Sequence, residues 1–297
     1  MEYIDGYTFM HEHIFVDLSG VKENLDCRLD CFADTVEELK RLARQGVRNI
    51  VEVTNIGMGR NVEYMERVAR ESGMNLIYST GFYKEPFYPE YVKEKTADEL
   101  AAIMIGDIVN GMDGTGIKAS VIGEIGSSKN VIKPTEEKVF RAAAKAHLET
   151  GKVITTHTTF GTMGLEQIRL LKEMGVDVNR VIIGHVDLSG DLEYILRLID
   201  SGAYVQFDTI GKNNYLPDET RADILAEIAG RGLDERVMLS LDITRKSHLF
   251  NHGGIGYTYL IDHFLPMLKE RGVRDQAIEN MLRWNPQRIL KGGIIAA

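Results

Sequence analysis

The sequence predicts an α/β fold, a single (β/α)8 TIM barrel, and three observations support this prediction. Eight short apolar segments recur along the chain, amphipathic patterns of helical period lie between them, and glycines stand where the helices should end. A chain of 297 residues is within the size range of one such barrel. We therefore expect one domain over residues 1–297.

The predicted strands are mostly continuous apolar runs, which is typical of parallel strands covered on both faces. In chain order they are 8–16, 49–54, 75–80, 119–123, 153–156, 181–184, 204–207 and 237–241. A doubly wound sheet is the alternative. It would place a glycine-rich phosphate turn after the first strand, where this sequence has His11-Glu12-His13. The barrel is therefore favoured.

The predicted helices have recognisable first and last residues. Thr35 with Glu38, and Thr96 with Glu99, have the spacing of a capping box ahead of apolar residues at helical intervals. Asn61 is a further candidate N-cap. Glycines follow the helical patterns shortly before the predicted strands: Gly46, Gly73, Gly111, Gly151, Gly175 and Gly202.

Composition and charge narrow the class of protein. With 44% hydrophobic and 27% charged residues the chain is an ordinary globular one, and its net charge of -9 disfavours non-specific binding to nucleic acids or anionic membranes. Cys27 and Cys31 fit a zinc half-site only loosely, so we expect two reduced thiols. The sequence has no secretory signal pattern and no apolar stretch of ~18 residues. We therefore expect a cytoplasmic protein that binds neither nucleic acid nor membrane.

Histidines and carboxylates occupy the ends of the predicted strands, where TIM-barrel active sites lie. Taken singly, such a histidine is often a structural hydrogen-bonding residue, and such an acid is often a loop carboxylate or a helix cap. Taken together, they form a set of nitrogen and oxygen ligands suited to zinc or a similar divalent ion. The candidate ligands are His11, His13, Glu124, His157, His185 and Asp242. By contrast, His147 is expected to be structural and His252 to lie in the final loop over the site.

Six candidate ligands exceed the needs of one catalytic zinc, which typically takes three protein ligands and a water. They suit two ions with a bridging carboxylate, an arrangement that activates a water and stabilises a developing oxyanion. The chemistry predicted is metal-assisted hydrolysis. Asp242 would bind one ion and move the proton from the nucleophile to the leaving group.

The motifs around these residues resemble the phosphotriesterase-related branch of the amidohydrolase superfamily. The matching motifs are Gly6-Tyr7-Thr8 with His11-Glu12-His13, Thr54 with Gly59-Arg60-Asn61, Thr80-Gly81-Phe82-Tyr83, His157, Gly184-His185, Leu241-Asp242 and Asn285-Pro286. The resemblance implies a distorted barrel and a binuclear metal-dependent hydrolase, expected to be a homodimer. It also implies that the His pair and the final Asp bind the buried metal, and that the histidines of strands five and six bind the exposed metal.

The sequence departs from the best-known relatives in the fourth strand. Phosphotriesterase and its lactonase relatives bridge their metals with a carboxylated lysine at the end of that strand. Here Lys118 precedes Glu124 by six residues, roughly 20 Å along a strand, and so belongs to the other end of the barrel. Glu124 is therefore the expected bridge between two zinc ions, without a modified lysine.

The substrate is predicted less directly. Tyr83 matches a tyrosine that lies over the metal pair in related lactonases, which favours a carbonyl substrate, although an aromatic pocket wall is the alternative role. Arg245, Lys212 and Arg28 could bind a carboxylate or phosphate on a small-molecule substrate, or could be solvated loop charges. A lactone or carboxylic ester leads, and a phosphoester or amide is the alternative. The non-enzymatic alternative is a metal-stabilised barrel that binds a metabolite.

Overall fold

The computed structural model describes residues 3–292, so the termini of the predicted domain, residues 1–2 and 293–297, lie outside the described residues. Eight parallel strands follow one another in chain order around a nearly closed barrel. They are β1 (Tyr7–Glu12), β2 (Val47–Glu52), β3 (Asn75–Thr80), β4 (Val121–Ser127), β5 (Val153–Thr158), β6 (Val181–Gly184), β7 (Tyr204–Phe207) and β8 (Val237–Leu239). The predicted TIM barrel is confirmed.

Helices connect the strands and cover the outside of the barrel. They are α1 (Ser19–Lys22), α2 (Phe32–Arg44), α3 (Val62–Ser72), α4 (Tyr91–Glu94), α5 (Ala97–Val109), α6 (Pro134–Thr150), α7 (Gly164–Glu173), α8 (Leu192–Asp200), α9 (Asp218–Gly230), α10 (Leu265–Glu270), α11 (Asp275–Glu279) and α12 (Asn285–Lys291). Short 3₁₀ turns and two π-helical segments, Leu260–Phe264 and Asn280–Trp284, complete the connections. Within the described residues, no helix has the length and apolarity to cross a membrane.

Two of the predicted helix starts are confirmed and one is wrong. Thr96 and Glu99 form a capping box at α5, and Asn61 accepts a hydrogen bond from Tyr64 N at the start of α3. Thr35, by contrast, lies inside α2, where its N–H donates to Cys31 O across 2.9 Å. Its expected partner, Glu38, instead accepts hydrogen bonds from the backbone of a distant loop, so a tertiary contact overrode the local signal.

Strand boundaries differ from prediction at the first, second, fourth, fifth and eighth strands. β2 is shifted by two residues towards the N-terminus, and β5 continues two residues further, to Thr158. β1 ends at Glu12, and the short segment Val16–Asp17 pairs antiparallel with Arg28–Leu29 outside the barrel. β4 continues to Ser127 with an irregular register opposite β5 between Ile122 and Ile125, so Glu124 lies within the strand rather than after it. β8 ends at Leu239, two residues earlier than predicted.

Side chains connect β1 to β8 and complete the ring. The Ser240 hydroxyl accepts a hydrogen bond from His11 N across 3.0 Å. The Glu12 carboxylate accepts hydrogen bonds from Leu241 N at 2.7 Å and Ile243 N at 3.0 Å. Burial raises the pKa of Glu12 to about 8. The central residue of the His-Glu-His motif is therefore a structural link between the first and last strands.

The barrel interior is filled at the amino ends of the strands by an apolar cluster, here called the barrel plug. Every strand contributes one buried residue to it: Met10, Val51, Ile77, Val121, Val153, Ile182, Tyr204 and Met238. Ile289 of α12 packs on the same cluster. A separate and larger core lies between the strands and the surrounding helices. The plug leaves only the carboxyl ends of the strands open to form a site.

Candidate metal centre

His11 and His13 are brought to the carboxyl end of the barrel by β1, and both are buried. The Thr54 hydroxyl donates to Glu52 Oε1 at 2.6 Å, so its oxygen accepts from the Nδ1–H of His13 at 2.7 Å. His11 Nδ1 lies 3.4 Å from Gln206 Oε1. These contacts place the proton on Nδ1 in both rings and leave the Nε2 lone pairs directed into the site.

Among residues 3–292, neither Nε2 atom has a hydrogen-bond partner, although both are fully buried. Buried polar atoms without partners are costly in a folded protein, and a metal ligand is one explanation for them. Burial also holds the pKa of His11 at about 4 and lowers that of His13, so both rings are neutral, as metal ligation requires. These residues therefore fit a divalent ion.

Glu124 lies between the histidines of both sides of the barrel. Its carboxylate oxygens lie 3.5 Å from His11 Nε2, 3.6 Å from His13 Nε2 and 3.1 Å from His157 Nδ1. Burial raises its pKa to about 8, although attraction to His185 and Lys84 acts in the opposite direction. Gly123 permits this position: its φ is +135°, and a Cβ there would lie 2.2 Å from Thr155 O.

His157 and His185 form the other side of the cluster, with ring centroids 4.4 Å apart. Asp208 fixes His185 by accepting from its Nδ1 at 2.7 Å and from its backbone N at 2.9 Å. His185 Nε2 then points towards Glu124 Oε2, 3.7 Å away. Glu124, His157 and His185 place their ligand atoms within 4.8 Å of one another.

Asp242 closes the cluster from the loop after β8, with Oδ1 3.3 Å from His13 Nε2 and 3.8 Å from His11 Nε2. Its other oxygen pairs with the buried ammonium of Lys212. Burial alone would raise the pKa of Asp242, but attraction to the Lys212 charge outweighs it and holds that pKa well below its usual range. Asp242 is therefore an ionised carboxylate beside the cluster.

Six candidate ligands from five strands thus converge on one point, as the sequence places them. Within the described residues, three overlapping groups can hold a cation: His11, His13 and Glu124; His11, His185 and Asp242; Glu124, His157 and His185. The donors are nitrogen and oxygen atoms, which suit zinc and similar divalent ions. Lys118 is exposed and precedes the start of β4, so it lies apart from this cluster.

A cavity of about 260 Å³ opens above the cluster. Tyr83 lines it, with its hydroxyl 3.3 Å from His157 Nδ1 and its ring edge-on to that imidazole. Burial raises the pKa of Tyr83 well above its usual value, so the hydroxyl remains protonated and can donate a hydrogen bond. Lys212 and Arg245 also line the cavity.

Two expectations about the surrounding loops need revision. Arg28 is not among the described residues that line the cavity; it pairs with Asp30 at 2.8 Å on the protein surface. His252 lies in an exposed turn and contacts Asp34, so it does not cover the site. His248 lines the cavity instead, and its Nδ1 accepts a hydrogen bond from Thr244 N. Loop residues carry no periodic pattern, so sequence alone did not separate these two histidines.

Sequence reasoning also missed the residues that orient the ligands. Asp208 directly follows the seventh predicted strand, so the strand-end rule that found the ligands could have found it. Thr54 ends the second predicted strand and belongs to the motifs that carry the family resemblance, and Glu52 stands two residues before it, so the same rule could have found both. Lys84, which follows Tyr83, lines the cavity as well.

Comparison with known proteins agrees with this arrangement. A model of the phosphotriesterase family matches residues 3–290. The chain belongs to the phosphotriesterase family. It is 52% identical over 286 residues to the phosphotriesterase homology protein of Escherichia coli K12, covering 96% of this chain and 98% of that protein. A crystal structure of the E. coli protein, complexed with phosphate in the active site, matches with a TM-score of 0.96 over 97% of this chain and 100% of the other.

Other members of the phosphotriesterase family differ in named activity. The N-acetyltaurine hydrolase of Xenopus tropicalis is 30% identical over 281 residues, which is 91% of this chain and 80% of that protein. A lactonase from Listeria monocytogenes has a TM-score of 0.91 at 29% identity, over 96% of this chain and 94% of the other. The family consists of metal-dependent hydrolases, and this chain has a candidate site for the metal.

Proposed function

We propose that this protein is a hydrolase with two zinc ions bridged by Glu124, and that it cleaves a lactone or carboxylic ester bearing an anionic group. The observation that carries the proposal is the convergence of buried, partnerless Nε2 atoms of His11 and His13 on the Glu124 carboxylate. Six ligands exceed the needs of one catalytic ion. Ions at this position supply Lewis-acid activation of water and of the scissile bond.

The ligands divide between two positions. His11, His13 and Asp242 lie on one side of Glu124 and would hold one ion, while His157 and His185 lie on the other side and would hold the second. The bridging carboxylate would lower the repulsion between two divalent charges. Asp208 orients His185 through its Nδ1–H. Although burial lowers the pKa of His185, the Asp208 carboxylate raises it to about 10, so a bound ion would displace the proton from Nε2.

Asp242 is the proposed proton acceptor for the attacking water. Lys212 pairs with one oxygen of Asp242 and leaves the other facing the histidine cluster. A carboxylate held ionised in this way can take a proton from the nucleophile and return it to the leaving alkoxide. Lys212 thereby holds the Asp242 carboxylate in position and keeps it ionised. The Lys212 ammonium is already paired with Asp242 before a substrate enters.

Tyr83 supports a carbonyl substrate. Its protonated hydroxyl faces the cavity beside His157 and can donate a hydrogen bond to the oxygen that gains charge as the carbonyl is attacked. Phosphotriester chemistry would gain from the same donor, but the similarity to a lactonase over 96% of this chain favours the carbonyl reaction.

Cationic side chains at the cavity wall support an anionic substrate. Lys22, Lys84 and Arg245 all line it, and burial lowers the pKa of Lys84. Within the part of the chain that the structure describes, the Arg245 guanidinium has one ion pair, a long one of 3.6 Å to Asp26, and so keeps donors for a ligand. A carboxylate, sulfonate or phosphate on the substrate would bind these groups. Arg28, exposed and paired, has no part in this proposal.

Two relatives favour specific alternatives. The similarity to an N-acetyltaurine hydrolase favours an amide whose anionic group would occupy the same cationic wall. The phosphate in the active site of the E. coli structure favours a phosphoester. We further propose that the protein is a cytoplasmic homodimer, which light scattering of the purified protein tests directly.

The decisive experiment compares matched substrates on the metal-loaded protein. Lactone, open ester, N-acyl amide and phosphoester compounds are each assayed with and without a carboxylate at the far end. We expect the highest kcat/KM for the carboxylate-bearing lactone or ester, and loss of turnover after chelation. Turnover confined to amides or phosphoesters would replace the proposed substrate class. Metal binding without turnover of any compound would favour the metabolite-binding barrel.

A further inference from the structure

The loop after β1 and the loop after β8 are held together by a row of contacts outside the cavity, here called the loop clasp. Three aspartates of the first loop and the start of α2, spaced four residues apart, each contact the second loop: Asp26, Asp30 and Asp34. The first accepts hydrogen bonds from Ser247 N and Oγ at 2.8 and 2.7 Å. The second pairs with Lys246 at 2.7 Å, and the third accepts from Asn251 Nδ2 at 2.8 Å.

Cys31, Asp34 and His252 lie together at one end of the loop clasp. Their ligand atoms, a thiol sulfur, a carboxylate oxygen and an imidazole nitrogen, all lie within 4.8 Å of one another. His252 Nε2 is 3.0 Å from Asp34 Oδ2, while the other oxygen of Asp34 is taken by Asn251. Cys31 Sγ, Asp34 Oδ2 and His252 Nε2 are therefore close enough to bind one ion, which would replace the hydrogen bond between the last two.

The spacing fits a tetrahedral ion. Zinc bound at about 2.1 Å by nitrogen and oxygen sets its ligand atoms about 3.3 Å apart, close to the separation of His252 Nε2 and Asp34 Oδ2. Cysteine, histidine and aspartate are all zinc ligands. Cys31 and His252 are partly exposed, so an ion can enter from solvent and a water can complete the coordination.

We propose that Cys31, Asp34 and His252 bind a zinc ion at the loop clasp, separate from the centre inside the barrel. On binding, the Cys31 thiol loses its proton to solvent and a zinc–sulfur bond forms. His252 gives up its Nε2 proton to solvent and takes up or keeps one at Nδ1, so that its hydrogen bond to Asp34 is replaced by one bond from each residue to the ion. Cys27 takes no part, because it is buried elsewhere and not in this group, so the two cysteines do not act as a pair.

The site would connect the cavity's two flanking loops. Lys22 in the first loop and Arg245 and His248 in the second line the cavity. Zinc at the clasp ties the start of α2 to the turn Phe250–His252, and so restrains both loops at a point that substrate does not reach.

Cobalt(II) substitution provides the test, because a thiolate–cobalt bond gives a near-ultraviolet charge-transfer band that nitrogen and oxygen ligands do not give. The active centre in the described structure offers only nitrogen and oxygen donors. The protein is first stripped of metal by chelation and then titrated with cobalt, which should produce this band from the clasp alone. We expect the band to saturate with one equivalent of cobalt per chain, in addition to the cobalt bound inside the barrel.

The variants separate the clasp from other sites. Cys31→Ala and His252→Gln should abolish the band, whereas the matched controls Cys27→Ala and His263→Gln should retain it. His263 is an exposed histidine that stacks on Tyr259, outside the group. Because His252 is exposed and Asp34 is partly exposed, His252→Gln and Asp34→Asn test the site even if a cysteine variant folds poorly. A band that survives His252→Gln, or binding seen only at millimolar metal, would overturn the proposal.

Discussion

The two halves of the barrel interior are built by the same strands and differ completely in chemistry. At the amino ends, the barrel plug contains only apolar and aromatic side chains, one from each strand. At the carboxyl ends, the interior holds imidazoles and carboxylates that are equally buried. Met10 belongs to the plug and His11, the next residue, to the metal cluster. The comparison shows that burial alone does not determine function; what differs is whether the buried atoms have partners.

The two halves of the barrel interior make contributions of opposite sign to the stability of the metal-free fold. The plug removes apolar surface from water, which stabilises the fold by about 25 cal/mol per Å². The metal cluster instead buries polar atoms without hydrogen-bond partners and a carboxyl whose pKa is raised to about 8. Such groups destabilise the metal-free protein until a cation binds them. We infer that burial of the barrel plug offsets the destabilisation caused by the polar metal cluster at the carboxyl ends of the strands.

Truncation of the plug should have the largest effect on stability. Ile182→Ala removes a fully buried side chain from a close-packed cluster and should lower the free energy of unfolding by about 2–5 kcal/mol. Val109→Ala, on the exposed side of α5, is the matched control and should change it by less than about 0.5 kcal/mol. Urea unfolding measures both. Loss of bound metal from folded Ile182→Ala would show that the halves are not independent.

Asp242→Asn should have the largest effect on activity. The amide keeps the shape and one ligand oxygen, but it cannot accept the proton, so kcat should fall about 10²-fold or more while metal content is mostly retained. Asp200→Asn, an exposed carboxylate at the end of α8, is the control. Steady-state kinetics with metal analysis of the same samples separate the two outcomes. If kcat is unchanged, Asp242 is a ligand only.

Glu124→Gln should weaken binding of at least one of two metal ions, because a neutral amide would stand where a charged bridge is proposed. In the parent protein, metal reconstitution should not depend on bicarbonate, since the carboxylate belongs to Glu124 itself and Lys118 is exposed elsewhere. Metal analysis after reconstitution with and without bicarbonate tests this. A modified lysine detected by mass spectrometry would contradict the assignment.

The metal-free protein should become less stable as pH rises from about 6.5 to about 8. In this range the folded state keeps a proton on Glu124, whose pKa is about 8, while the unfolded chain has lost it near 4.5. The folded state therefore binds more protons, and stability falls with rising pH. Glu12 and Glu52, with pKa also raised to about 8 by burial, act in the same direction.

Glu124→Gln removes one of the carboxyl groups that bind a proton in the folded state but not in the unfolded chain. It should reduce the slope of unfolding free energy against pH by about 1.4 kcal/mol per pH unit, one proton's worth. Histidines with lowered pKa, such as His11, oppose this fall near pH 6.5, where the unfolded chain still binds protons, and lose their effect towards pH 8. His185, whose pKa Asp208 raises to about 10 against the effect of burial, acts in the same direction as Glu124. Urea unfolding of the chelated proteins at several pH values gives the slopes. Equal slopes would mean that Glu124 is ionised in the metal-free fold.

The sequence predicts the barrel and the cluster for related reasons. Parallel strands covered on both faces appear in the sequence as continuous apolar runs. Because the carboxyl ends of these strands meet at one end of the barrel, the residues that follow each run lie close together. Both features can be predicted from local sequence pattern. The Thr35 capping signal failed because Glu38 binds a loop more than 200 residues away in the chain. Likewise, Arg28 and His252 lie in loops whose paths depend on tertiary contacts that no local pattern records.

The smallest effect is expected for a substitution in the cavity wall, which lies between the metal cluster and solvent. Lys84 lines the cavity with its ammonium 5.5 Å from the ring centre of Tyr83, and burial lowers its pKa. If it binds the anionic end of the substrate, Lys84→Met should raise KM for a carboxylate-bearing lactone about tenfold, since one charged hydrogen bond contributes about 1.5 kcal/mol. The matched neutral lactone should be cleaved with unchanged KM, and kcat should change little for either, because the lost contact is made equally before and during the reaction. Lys129→Met, a lysine over Phe160 that is not among the described lining residues, is the control. An equal rise in KM for charged and neutral lactones would assign Lys84 to the shape of the cavity rather than to recognition of charge.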